Sequence, residues 1–167
     1  MSIVEKKDSQ TFQGFNNIYR PKDEREVSNF IKENYNKNLP IEIIGTGSKN
    51  FIGNKLKCEK ILSLSELSGI IEYRPEELYI KVKACTPIID IEKILENHDQ
   101  ELGFEPIDFG FIKNSASNKG SAGGYLSSNF SGSRRFKVGS VRDHILGFRG
   151  VNGKGEIIKS GGTVVKN

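Results

Sequence analysis

The stretch Ile41-Glu-Ile-Ile-Gly-Thr-Gly-Ser-Lys-Asn-Phe-Ile-Gly53 passes within four residues from an apolar strand to a run of small, φ-permissive residues. Pro40 closes the preceding segment, so Ile41 to Ile44 read as a short buried strand that ends in a glycine-rich loop. Three readings fit that loop: an ordinary turn, a flexible linker, or a concave array of main-chain N–H groups suited to an anion. Two common phosphate motifs are excluded. The G-x-x-x-x-G-K-[ST] spacing is absent, and in a dinucleotide fingerprint the third glycine after Gly45 and Gly47 would fall at position 50, which is Asn50.

The flanking sequence gives an α+β order. After Pro21, Val27, Phe30, Ile31 and Tyr35 recur at helical spacing behind an acidic first turn. Beyond the loop, Lys60 to Leu64 reads as a strand, residues 65–69 as a turn, Ile70 to Tyr73 as a short pairing segment and Leu78 to Ala84 as an alternating, half-buried strand. Thr86 is placed to cap a helix that starts at Pro87 and buries Ile88, Ile91, Ile94 and Leu95. Ile145 to Val151, the turn Asn152-Gly-Lys-Gly155 and Glu156 to Lys159 form a β-hairpin pattern.

Composition narrows the class. With 167 residues, 35% hydrophobic and 28% charged, the chain suits a single globular domain. No apolar run approaches the roughly 20 residues of a membrane-spanning helix. The amino-terminal MSIVEKKDSQ lacks the apolar segment of a secretory signal, which makes the cytoplasm the expected compartment. The net charge of +4 is spread along the chain rather than gathered on a face, which argues against nucleic acid as a partner. Cys58 and Cys85 have no C-x-x-C or histidine companion, so no metal site is expected and both read as small buried hydrophobes.

A second glycine cluster lies far along the chain. Residues 110–133 have the composition of loops, yet Ala122, Tyr125 and Leu126 make a helical stripe started by Ser121. Gly120-Ser-Ala-Gly-Gly124 at that helix start, followed by Ser131-Gly132, offers a second set of N–H groups for an anion. Two such cradles suit a large, doubly charged ligand such as a dinucleotide.

Four stretches in this order then carry a family resemblance: Ile43 to Gly53; Gln100-Glu-Leu-Gly-Phe-Glu-Pro106; Gly123-Gly-Tyr-Leu-Ser-Ser-Asn-Phe-Ser-Gly-Ser-Arg-Arg135; and Gly139-Ser-Val-Arg-Asp-His-Ile-Leu-Gly147. Together with Arg20-Pro21 and Asn152 to Gly155, the chain resembles the FAD-binding domain of the vanillyl-alcohol oxidase and p-cresol methylhydroxylase (PCMH-type) superfamily, and within it the flavin-binding subunits of bacterial glycolate oxidase. The resemblance implies a two-subdomain PCMH-type α+β fold, with a first subdomain over about residues 20–96 and the start of a second over about 97–167. It implies FAD, held by Gly45, Thr46, Gly47, Ser48, Lys49 and Asn50 around the pyrophosphate and by Gly123, Gly124, Ser131 and Gly132 along it. Arg142 and Asp143 match the family motif in type, as cofactor contacts or as structural pairing at a helix end, with the second preferred.

It further implies 2-hydroxy-acid oxidation in a complex with other glycolate oxidase-like subunits, flavin and iron–sulfur, which could hold the chain at the inner membrane without a transmembrane segment. Departures refine this. Thr46 stands where the family has glycine, which requires that its φ be negative. No histidine occupies the first loop, so non-covalent FAD is expected. His144 reads as structural rather than as a base, His98 as a helix-end partner, and no catalytic residue is assigned. Relatives continue beyond Gly161-Gly-Thr-Val-Val-Lys-Asn167 into further strands and a cap domain, so the second subdomain is expected to be incomplete and the isolated chain inactive. The contrasting reading is a non-catalytic interaction module whose glycine runs are turns and whose Arg134, Arg135 and Lys137 meet a partner.

Overall fold

In the computed structural model, residues 17–54, 58–112, 114 and 116–162 are described. Strand β3 (Lys60–Ser63) lies between β1 (Ile18–Tyr19) and β2 (Ile41–Ile44), parallel to both. As the central strand it is buried on both faces, with Ile61 and Leu62 fully enclosed. Leu64 N–H extends the ladder to the Ile44 carbonyl at 2.9 Å, right at the mouth of the glycine loop.

Helix α1 (Glu24–Asn36) starts where Asp23 accepts hydrogen bonds from the Arg25 and Glu26 N–H groups, both at 2.9 Å. Val27 and Ile31 pack on Leu62, with Phe30, Ile41, Leu64, Leu67 and Val151 around them. Tyr35, expected on this face, is instead exposed. Val151 belongs to β6 (Gly147–Val151), which pairs antiparallel with β7 (Ile157–Gly161) as the Asn-Gly turn predicts. The hairpin is tied to α1 by the Ser28 hydroxyl, which donates to the Gly155 carbonyl, and by the Arg149–Glu24 ion pair.

Strands β4 (Ile70–Arg74) and β5 (Tyr79–Val82) form a separate antiparallel pair. The expected strand start at Leu78 is corrected. Pro75–Glu77 form a 3-10 turn that ends with Leu78 in the left-handed region at φ 56°, its side chain 79% exposed. A branched apolar residue there is uncommon and loses its place in the strand.

Helix α2 (Ile88–Glu96) buries Ile88, Ile91 and Leu95 against Phe104, Phe109, Tyr125 and Val141. That core therefore joins residues before and after position 97. Thr86 does not cap α2; Pro87 occupies the cap position without a side-chain bond. Instead the buried Thr86 hydroxyl lies 2.7 Å from the Lys83 carbonyl and 3.0 Å from the Gly69 carbonyl, and accepts from Gly69 N–H at 3.0 Å. A hydroxyl that can satisfy three groups near its own backbone has little reason to reach forward to a helix.

The cysteine expectation holds for one of two. Cys85 is buried, whereas Cys58 is half-exposed with its sulfur 4.0 Å from Glu42 Oε2. Burial and the Glu42 charge push the Cys58 thiol up.

Thr86→Val leaves buried polar groups unpaired and should cost about 1–3 kcal/mol. Asp23→Ala, losing a helix cap, should cost about 1 kcal/mol. Urea denaturation midpoints of the two variants check this order, which would reverse if Thr86 acted as a simple cap.

Candidate functional site

The loop after β2 is short of protein partners. Among the described residues, none of the main-chain N–H groups of Gly45, Thr46, Gly47, Ser48 and Lys49 has a protein acceptor. The loop folds back through Asn50 N–H to the Gly47 carbonyl and Ile52 N–H to the Lys49 carbonyl. Gly47 supplies the left-handed turn at φ 67°, and Thr46 is not among the residues of positive φ, as its side chain requires. Consecutive unpaired N–H groups around such a turn form a concave, positively polarised surface.

The second glycine cluster is brought against the first, for a different physical reason from the one expected. Its N–H groups are already engaged: Gly120 to Asn118 Oδ1 at 3.1 Å, Ala122 to the Thr86 carbonyl at 3.0 Å and Gly123 to the Ala84 carbonyl at 2.7 Å. Gly124 N–H points to the Ser121 hydroxyl, the cap of α4 (Ala122–Ser128). What this cluster contributes is absence of side chain. A Cβ at Gly123 would stand 2.9 Å from the Ala84 carbonyl oxygen, one at Gly120 2.8 Å from Ser48 Oγ, and one at Gly124 3.3 Å from Lys49 Nζ. The backbone is thus a wall set close behind the first loop.

Between the loops sits Lys49. Its ammonium lies 4.8 Å from the ring centroids of both Phe109 and Tyr125, and 3.4 Å from Ser48 Oγ. Burial pushes its pKa below the ordinary lysine value, with no carboxylate nearby to raise it. The rings beneath it are held firmly. Tyr125 is fully buried, donates to the Ile107 carbonyl at 2.8 Å and is pushed up to about 12, chiefly by burial. Phe109 opens α3 (Phe109–Ile112), whose start is organised by Asp108: its Oδ1 accepts from the N–H groups of Gly110 and Asn118 at 2.9 Å and Phe111 at 3.3 Å. A hydrogen bond from Ser117 leads the causes that hold Asp108 below its usual carboxylate value. Sequence reasoning missed Phe109 and Asp108; Asp108 three residues before Phe111 was the available turn signal.

The remaining expected site residues serve the next turns of chain. Gly132 N–H donates to the Glu105 carbonyl at 3.0 Å, and a Cβ there would meet the Glu105 carboxylate. The Ser131 hydroxyl accepts from Val141 N–H at 3.1 Å. Asp143 Oδ2 accepts from the Ser140 N–H and hydroxyl, at 2.7 and 2.8 Å, capping the 3-10 turn Val141–His144 and lowering its own pKa through those bonds. Arg142 is exposed, its Nε 3.8 Å from Asp143 Oδ1. His144 ends this turn rather than starting a strand; its Nε2 is 2.8 Å from the Val138 carbonyl oxygen and its ring covers Gly103. The basic run reads out as helix α5 (Arg135–Val138), with Phe136 96% exposed.

This fold and loop define a flavin-nucleotide-binding domain. The chain belongs to the FAD binding domain family, whose model matches residues 16–161. It is 36% identical over 128 residues to the glycolate oxidase subunit GlcE of Escherichia coli strain K12, covering 77% of this chain and 34% of that protein. Similarity to the glycolate oxidase subunit GlcD of Bacillus subtilis strain 168 is 26% over 152 residues, 90% of this chain and 30% of that one. Among solved structures, alkyldihydroxyacetonephosphate synthase superposes with a TM-score of 0.66 at 21% identity, over 86% of this chain and 28% of the other, a likeness of fold. The chain therefore spans about a third of the length of the curated relatives it matches. FAD is the cofactor of this family, and the residues fit it: five N–H groups without acceptors and a close-set glycine wall suit a pyrophosphate.

Because Asp108 is held below its model value of 3.8, the stability it contributes is complete above that pH and is lost as the pH falls through the lowered value. Asp108→Asn should flatten this acid limb. Thermal midpoints between pH 5 and 2.5 measure it, and an unchanged slope would deny Asp108 its organising role.

Proposed function

We propose that this chain is the FAD-holding part of a flavoenzyme that oxidises a small 2-hydroxy acid, as the name glycolate oxidase describes for its relatives. The observation that carries the reading is the set of five main-chain N–H groups, Gly45 to Lys49, facing no protein acceptor at the end of β2. In this reading they donate to the pyrophosphate oxygens, and Asn50 closes the turn. Gly123 and Gly124 let the cofactor run close along the opposite wall, while Ser131, Gly132, Arg142 and Asp143 shape the turn beyond it.

Main-chain donors suit the task because they are fixed before the ligand arrives, so binding pays little for ordering them. The attachment is non-covalent. When bound, the flavin ring supplies the hydride-accepting chemistry. The protein holds the cofactor's anionic linker, orients it against the glycine wall and excludes water through Phe51, Phe109 and Phe130, whose ring centroids lie 6.0–6.4 Å apart in succession.

Two relatives are named as glycolate oxidase subunits, and assembly with further flavin and iron–sulfur subunits is part of the proposal. Two free cysteines accord with a reducing, cytoplasmic compartment. Among the described residues no helix is long and apolar enough to cross a membrane.

Gly47→Val forces a β-branched side chain onto a left-handed backbone and should remove FAD retention, with far-ultraviolet circular dichroism preserved. Visible absorbance after incubation with FAD and desalting measures this. Equal flavin retention by Gly47→Val and wild type would reject the loop as the pyrophosphate cradle.

A further inference from the structure

The N–H cradle supplies hydrogen bonds but no full charge, and a pyrophosphate carries two negative charges. The nearest formal cation is Lys49, the last residue of the cradle. Its side chain turns back between the two glycine clusters rather than out to water: a Cβ at Gly120 would lie 3.2 Å from Nζ and one at Gly124 3.3 Å. Phe109 and Tyr125 form its floor, each centroid 4.8 Å away. Among the described residues it forms no ion pair, whereas the part-buried Lys119 is neutralised by Glu92 at 2.8 Å. Ser48 Oγ at 3.4 Å is its polar neighbour. Ring faces attract a cation but leave its N–H groups without acceptors, so the ammonium is held in place and remains able to receive an anion.

We propose that the Lys49 side chain is the charge-reading residue of this site: its ammonium pairs with a phosphate of the cofactor, so that affinity depends on the phosphates and not on the flavin ring alone. This rests on the FAD reading above and adds a residue-specific electrostatic component to it. Lys49 also differs from the main-chain donors in that substitution can remove it. The glycines Gly120 and Gly124 then have a second use, since any side chain there would displace the ammonium.

The test uses the full 167-residue chain and three ligands: FAD, ADP and riboflavin, the last with no phosphate. Lys49→Met keeps the length and the contact with the rings but removes the charge. It should weaken FAD and ADP about ten- to a hundredfold at low salt, the range of a charge-assisted hydrogen bond. Riboflavin affinity should stay within about twofold, Lys49→Arg should recover most of the loss, and wild type should lose more affinity than Lys49→Met as salt rises.

If Lys49→Met binds FAD and ADP as wild type does, the charge-reading role is overturned while the FAD reading stands. Equal loss for riboflavin would make Lys49 a structural prop over Phe109 and Tyr125, which also overturns it. Wild type that binds neither FAD nor ADP would overturn both readings.

A second measurement is independent of the methionine variant's folding. After reductive dimethylation with 13C, the Lys49 methyl signal, assigned by its loss in Lys49→Arg, should shift on adding ADP and stay in place on adding adenosine. An ADP titration that saturates other signals and leaves this one still would reject the proposal.

Discussion

The structure turns on one joint, the short antiparallel bridge between Pro87 and Ser121. Ile88 N–H donates to the Gly120 carbonyl and Ala122 N–H to the Thr86 carbonyl, both at 3.0 Å. These two bonds dock the second glycine cluster beside the segment that leads into α2. Thr86 fixes that segment to β4 through Gly69, and Cys85 N–H fixes it to the Leu67 carbonyl at 2.8 Å. From there the wall reaches the first loop directly, since a Cβ at Gly45 would lie 3.0 Å from Ser121 Oγ. Loops separated by more than seventy residues therefore become two sides of one cleft. Core packing under the joint, with Tyr125 and Ile88 buried together, keeps it from slipping.

The cost of this arrangement falls on polar groups. Ordinarily a protein satisfies the N–H groups it withdraws from water. Here the second cluster follows that rule and the first does not. The division of labour is physical: engaged N–H groups make a rigid wall, while unengaged ones leave a place for an anion. A half-buried ammonium over two aromatic rings belongs to the same pattern, because it too is a donor group awaiting a partner. Sites that sacrifice local satisfaction for a ligand are the expected exceptions to otherwise consistent local chemistry.

Much of this was legible in the sequence. The spacing of Val27 and Ile31, the strands on either side of the first loop, the stripe ending in Tyr125 and the Asn-Gly hairpin all follow from periodicity and turn chemistry. The parallel arrangement around β3 did not, because strand β1 is only two residues long and carries no alternation. Leu78 was misread because its apolar side chain matches a strand pattern while its backbone is set by the preceding Pro75 turn. Thr86 was misread because a threonine before proline has the form of a cap, and its three local partners lie on distant strands. At the site, the order of glycines was visible, but which cluster keeps its N–H groups free depends on tertiary contacts with Ala84 and Thr86. The seat of Lys49 was equally hidden, since Phe109 and Tyr125 are far from it in sequence.

The central claim is that the N–H groups of Gly45 to Lys49 grip the pyrophosphate of FAD. Amide proton–nitrogen correlation spectra of the 15N-labelled chain, recorded as FAD is added, test it most directly. The account predicts that the Gly45 to Lys49 amide signals move progressively downfield to saturation, as donors to an anion do, and ahead of those of Ala122 and Gly123, which are already hydrogen-bonded. Saturable flavin binding that leaves the Gly45 to Lys49 amides unmoved would place the pyrophosphate elsewhere and contradict it.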